Sequence, residues 1–214
     1  MSAAHEPGYR RRIGYQAALL GIFSTLAAAL LILGHATTHE AIAARQAEDL
    51  KASLSQVIPA DLHDNNLPLN PLEIRDEAGA SHPVYRATRS GAVTGVAYQV
   101  TAFGYGGAIE IILGVGAGGE LLGVRVLSHA ETPGLGDRIE VAKDDWILGF
   151  TGLSLGNPPE NRWKVKKDGG EFDQFSGATI TPRAVVGAIR EGLKLFASHR
   201  DELLSPPVLN RASL

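Results

Sequence analysis

The sequence predicts an α+β domain held behind a single membrane-crossing helix near its N-terminus. Three observations carry this reading. Residues 13–34, IGYQAALLGIFSTLAAALLILG, contain no charged side chain. Residues 84–129 hold short runs rich in β-branched and apolar residues, separated by glycine-bearing turns. From Pro182 to about Leu204, apolar residues recur at three-and-four spacing. A sheet followed by a packed terminal helix belongs to the α+β class, and the sheet is expected to be antiparallel.

The 214 residues have room for one ordinary domain besides the span. The apolar fraction is 44% and the charged fraction 20%, both close to globular usage. Twenty Lys and Arg stand against 23 Asp and Glu, a formal charge of −3. With no basic run after the span and no RNP-like motif, no nucleic-acid partner is expected. The absence of cysteine excludes cysteine-ligated Fe–S clusters, CxxCH haem attachment, thiol redox chemistry and disulfides. Any redox role must therefore use a borrowed organic cofactor.

Residues 1–12 form a short N-terminal segment ending in Arg10, Arg11 and Arg12. Residues 13–34 follow as the span: at about 1.5 Å per residue a helix of this length covers roughly 33 Å, enough for a hydrocarbon core of about 30 Å. The arginines on one side, against His35 to Glu40 on the other, place the N-terminus in the cytoplasm and the rest outside. A cleaved signal peptide competes with this reading. Its apolar region usually runs about 7–15 residues, shorter than this one, and Gly34-His35-Ala36 makes a poor cleavage site. An uncleaved anchor is expected.

Residues 35–83 read as a juxtamembrane helix and a connection. Ala43, Ala47, Leu50, Leu54, Val57 and Ile58 share one face of a helix over 38–58, which Pro59 stops. Residues 59–83, rich in Pro, Asn and Asp, read as an irregular connection wrapping the domain. The domain itself is expected over 84–205. Its candidate strands are Val84–Thr88, Val93–Ala102, Ala108–Val115 and Glu120–Ser128. A Gly/Pro loop from His129 to Gly136 follows, then a mixed segment holding Trp146 and Phe150, then a further strand over Arg162–Lys166. In the terminal helix Val185, Ala188, Ile189, Leu193 and Phe196 face the sheet, with Arg190, Lys194 and Arg200 outside. Residues 206–214 form a tail.

Gly114, Gly116 and Gly119 fit G-x-G-x-x-G spacing, but that motif needs a helix directly after it. Here Glu120 to Val126 reads as another strand, so these glycines mark a hairpin turn. The segment from Asp173 to Arg183, DQFSGATITPR, is more informative. Thr181 is a natural N-cap and Pro182 a natural first helical residue. The unpaired amides of such a helix end welcome a phosphate. Gly177 and Ala178 allow close approach of a ligand, and Thr179 presents a hydroxyl. On chemistry alone the segment fits both an anion site and a plain capped turn. Trp146 and Trp163 suit either a ring contact or the core. His35 and His39 share a helix face without a third ligand, so no metal site is predicted.

Asp173, Ser176, Gly177, Ala178 and Thr179 match all five specified positions of D-x-x-S/T-G-A-T. This resembles the acceptor signature of flavin transferases that move FMN from FAD onto a threonine. The chain as a whole resembles the G subunits of the Rnf electron transport complex, and is similar to the C subunits of the sodium-pumping NADH:quinone reductase. Besides the signature, the likeness rests on Gly104, Tyr105, Gly106 and Gly107, and on the run from His129 to Asp137, HAETPGLGD. It extends from the span to the terminal helix.

The resemblance implies a periplasmic FMN-binding domain, with FMN joined through its phosphate to Thr179 and Asp173 serving transferase recognition. It also implies that Glu131, Thr132, Leu135 and Gly136 wall the flavin beside Ser176, Gly177 and Ala178; His129 and Asp137 stay open between structure and site. The expected role is electron carriage within the Rnf complex, which couples electron transfer between ferredoxin and NAD to ion translocation. Expected partners are the other membrane and peripheral subunits, a flavin transferase for maturation, and a bacterial inner membrane crossed once. Alternatives are the quinone-reductase C subunit and a non-redox assembly adaptor. No independent catalytic constellation is evident.

Overall fold

The computed structural model describes residues 13–75, 79 and 81–205, and for 36–43 and 46 the backbone alone. The arginines at 10–12 and the tail at 206–214 lie outside the described residues.

Helix α1 runs unbroken from Ile13 to Val57. Within it Ile13–His35 is long and apolar enough to cross a membrane, with a mean hydropathy of 2.3. The separate helix expected over 38–58 is thus the continuation of the span, since nothing between Gly34 and Thr38 interrupts the i to i−4 ladder. Of the face assigned to it, Leu54, Val57 and Ile58 are buried, while Ala47 is exposed. The helix stops where expected, because Pro59 cannot donate to the ladder.

The sheet has five antiparallel strands in chain order, β1 Leu72–Arg75, β2 Ser81–Arg89, β3 Ala92–Phe103, β4 Ala108–Gly116 and β5 Leu121–Ser128. Strands β2 to β5 fall within a few residues of the runs read from the sequence. Strand β1 corrects the irregular connection expected over 59–83: Leu72 pairs with Val84 and Ile74 with His82. Four residues among prolines and asparagines carry too short an alternation to announce a strand. Only the partner reveals it.

Alternation along β3 serves both faces of the sheet. Val96, Tyr98 and Ala102 point to a core shared with the terminal helix, and Ala97 points to a second core holding Leu54, Val57, Ile58, Leu67, Ala87 and Ile112. Two strand glycines make the second core possible. A Cβ on Gly114 would overlap the Val57 backbone, and one on Gly123 would stand 3.0 Å from Val57 Cα. Gly114 and Gly116 therefore belong to β4, and only Gly119 (φ 94°) makes the turn into β5. No helix follows, in agreement with the hairpin reading.

Helix α2 spans Ile180–Ser198 and a short α3 spans Arg200–Leu203. Val185, Ile189, Leu193 and Phe196 face the sheet as expected, with Ala188 half-buried. The single helix expected to Leu204 is broken at His199. Ser198 Oγ (3.0 Å) and His199 Nδ1 (3.1 Å) both reach the Leu195 carbonyl, offering it partners other than the ladder. Near the middle of α2, Tyr98 donates its buried hydroxyl to the Gly192 carbonyl at 2.7 Å, and burial pushes this phenol far up from its ordinary value.

The strand expected over Arg162–Lys166 is instead two tight turns, 160–162 and 166–168, with one bridge between Val165 and Phe172. Trp163 explains this. It is 1% exposed, it donates to the carbonyls of Pro158 (3.0 Å) and Ser154 (3.2 Å), and it lies against Phe150 and Phe172. The segment folds around that anchor rather than along a neighbour.

Candidate functional site

Three chain segments converge at one end of the sheet. The first is the β3–β4 turn, Gly104 to Gly107, closed by the Gly104 amide donating to the Gly107 carbonyl at 2.8 Å. A Cβ on Gly106 would overlap the Ala130 carbonyl, so the turn lies directly on the second segment, the loop after β5. That loop is wound by its own groups: the Leu135 and Gly136 amides both donate to the Thr132 carbonyl at 3.1 Å. The Gly134 amide donates to Asp137 Oδ1 at 2.8 Å. The third segment is Phe175 to Thr181, where Gly177 takes a left-handed conformation (φ 82°) that a side chain would strain.

Between them lies a cavity of about 410 Å³, lined by Tyr105, Glu131, Thr132, Leu135, Gly136, Gly177, Ala178, Thr179, Ile180 and Thr181. Of the residues named from the sequence, Thr179, Gly177, Ala178, Glu131, Thr132, Leu135 and Gly136 meet here. Ser176 is exposed beside the cavity without lining it. Asp173 stands apart, its carboxylate 2.6 Å from Lys166 Nζ and its carbonyl accepting from Trp146 Nε1 at 3.0 Å. Tyr105, 75% exposed on the lip of the cavity, is a lining residue that sequence reasoning missed. Its place inside a Gly-Tyr-Gly-Gly turn was the available signal. Neither tryptophan lines the cavity: Trp163 is core, and Trp146 packs edge-on against Phe150 and Phe175.

The start of α2 differs from expectation. The helix begins at Ile180 with Thr179 as its N-cap, so Thr181 and Pro182 sit inside the first turn. No side chain caps the end. The Thr181 hydroxyl instead donates to Glu131 Oε2 across the cavity wall. Pro182 still suits the first turn, where its missing N–H costs nothing. This puts Thr179 itself, half-buried, at the helix end where the first-turn amides and the positive end of the helix dipole lie.

His129 and Asp137 both serve the loop. His129 accepts the Glu131 amide at Nδ1 (3.0 Å) and meets Glu140 at Nε2 (2.7 Å), which puts the ring proton on Nε2. Asp137, 6% exposed, caps the Gly134 turn with Lys143 Nζ 3.8 Å away. A larger groove of about 790 Å³ runs along α2 beside Val100, Ala102, Gly187 and Leu195, and none of the cofactor-binding residues named from the sequence lines it. The smaller cavity is the candidate site, because it brings the residues of the 129–137 loop to Thr179 at the N-terminal end of α2.

The chain is similar to known proteins over this region and beyond it. Residues 104–194 match a family model described as the FMN-binding domain. A protein of Cereibacter sphaeroides, named as the G subunit of an ion-translocating oxidoreductase complex, is 58% identical over 188 residues, covering 88% of this chain and 86% of that protein. One of the same name from Stutzerimonas stutzeri is 46% identical over 189 residues, covering 88% and 83%. The crystal structure of Shewanella oneidensis NqrC aligns with a TM-score of 0.46 at 18% identity, covering 71% of this chain and 73% of that one. On the identity to the first two relatives across nearly nine-tenths of its length, the chain belongs to the family of ion-translocating oxidoreductase complex G subunits.

Proposed function

We propose that this protein is a membrane-anchored electron-carrying subunit of an ion-translocating oxidoreductase complex of the Rnf type, holding one FMN as a phosphoester on Thr179. The observation that carries the reading is the position of Thr179. The last residue of the D-x-x-S-G-A-T signature also occupies the N-cap position of α2 and lines the cavity.

The residues present fit the cofactor. The cavity volume lies within the roughly 300–1,000 Å³ usual for ligand sites. Tyr105, Leu135 and Ile180 supply apolar surface for a flat ring system, and Gly136, Gly177 and Ala178 keep the walls thin. A phosphate on Thr179 would stand against first-turn amides and the helix dipole, both favourable to an anion. When bound, FMN supplies the electron-accepting and electron-donating chemistry. The chain's own task is to hold the ring, exclude water from part of it and fix its distance from neighbouring carriers. A covalent link keeps the cofactor from being lost by dilution.

The reading places the anchor in a bacterial inner membrane, with the N-terminus cytoplasmic and the domain periplasmic. It requires a flavin transferase for maturation and the other complex subunits as electron partners. Thr179→Val keeps the side-chain shape and removes the oxygen. Full-length protein made with a flavin transferase is expected to carry flavin through denaturation, and the variant to fold yet carry none, by intact mass and fluorescence of denatured protein. Wild-type yield of denaturation-stable flavin in the variant would refute the assignment.

A further inference from the structure

We propose that Glu131 is a positioning residue: its carboxylate clamps the three walls of the cavity together and thereby sets the environment of the flavin held at Thr179. The inference rests on the reading of Thr179 as the attachment point.

Glu131 is 5% exposed although it lines the cavity, and among the described residues no Lys, Arg or His stands within ion-pair distance of its carboxylate. Both oxygens are nevertheless engaged. Oε1 accepts the Gly106 amide at 2.8 Å, and Oε2 accepts the hydroxyl of Thr181, itself 1% exposed. One carboxylate on the 129–137 loop thus ties the β3–β4 turn to the first turn of α2, 25 and 50 residues away in sequence.

The chain makes room for this clamp at two glycines. A Cβ on Gly104 would overlap Oε1 and stand 2.7 Å from Ile109 Cδ1. A Cβ on Gly136 would stand 2.7 Å from Oε2 and 2.9 Å from Thr181 Oγ1. Neither glycine has positive φ, so space rather than backbone conformation demands them. Since Thr181 lies two residues from Thr179, the bond to Glu131 fixes the rotation of the helix end that presents the Thr179 hydroxyl. Where it is ionised, a carboxylate on the cavity wall opposes the arrival of electrons on a ring held there.

The test uses full-length protein produced with a flavin transferase. Glu131→Gln keeps the shape and removes the charge; Thr181→Val removes one arm of the clamp. Gly104→Ala pushes the carboxylate aside without changing charge, and keeps the test decisive if Glu131→Gln does not fold. Extent of flavin attachment, anisotropy of the native flavin fluorescence and midpoint potential are measured on each. Glu131→Gln is expected to raise the midpoint potential with the clamp kept, since its amide can accept from Gly106 and donate to the Thr181 oxygen. Thr181→Val and Gly104→Ala are expected to lower the anisotropy as the ring gains freedom. Unchanged potential and anisotropy in folded, flavin-bearing variants would overturn the inference while leaving the Thr179 assignment intact. Absence of denaturation-stable flavin from the wild type would overturn both.

Discussion

Three hydroxyls lie within six residues, and each has a different environment. Ser176 is exposed, Thr179 half-buried at the helix end, and Thr181 buried against Glu131. Only the middle one faces the cavity with its oxygen unclaimed by the protein's described hydrogen bonds. Asp173, six residues before Thr179, takes no part in the cavity. Its side chain is 67% exposed and its ion pair with Lys166 is a surface one, of a kind worth about 1 kcal/mol or less. Asp173→Ala is therefore expected to leave the denaturant midpoint nearly unchanged while lowering the extent of flavin attachment. Urea unfolding beside intact mass separates the two effects. A large stability loss with full attachment would assign Asp173 to the fold instead.

Among the elements, the end of α1 and the middle of the sheet are joined through glycines. Gly114 has the Val57 carbonyl where its Cβ would be, so Gly114→Ala must push the helix end off β4. Such overpacking typically costs about 1–3 kcal/mol. Gly187 in α2 offers the contrast, with nothing within 4 Å of its Cβ position. Gly187→Ala is expected to stabilise by about 0.4–1 kcal/mol through the helix alone. Urea midpoints of the two variants, measured side by side, should move in opposite directions. A destabilising Gly187→Ala would mean that the groove beside α2 is filled in the folded protein.

For the whole molecule, the boundary between anchor and domain falls inside one helix. The chain divides into compact units at Glu48 and Asp49, and Leu54, Val57 and Ile58 belong to the core of the second. Each such side chain contributes about 1.5–3 kcal/mol when buried, against a total stability of about 5–15 kcal/mol for a typical domain. A fragment starting at residue 49 is expected to be soluble and to unfold cooperatively. One starting at residue 60 is expected to aggregate or bind hydrophobic dyes. Equal stability of the two would remove the helix end from the core. The proposed orientation across the membrane rests on Arg10 to Arg12 on one side of an uncharged span. Reporter fusions after residue 40 are expected to be active only with an enzyme that works in the periplasm. Activity of a cytoplasm-only reporter there would reverse the topology.

By itself the sequence determined what repeats locally. The span came from 22 uncharged residues, four strands from short β-branched and apolar runs between glycine-bearing turns, and the sheet-facing side of α2 from three-and-four spacing. The acceptor motif came from contiguous residues. Backbone geometry imposes these periods on the chain wherever it folds, so they are legible before any contact is known. The tertiary structure alone decided what depends on distant partners. Strand β1 exists because β2 is beside it, and 162–166 turns rather than extends because Trp163 is drawn into the aromatic cluster. The first turn of α2 starts at Ile180 because Thr181, a good cap by composition, donates instead to a carboxylate 50 residues away. A hydroxyl's partner is chosen by chain closure, which brings Glu131 to it and leaves room only where Gly104 and Gly136 lack a Cβ.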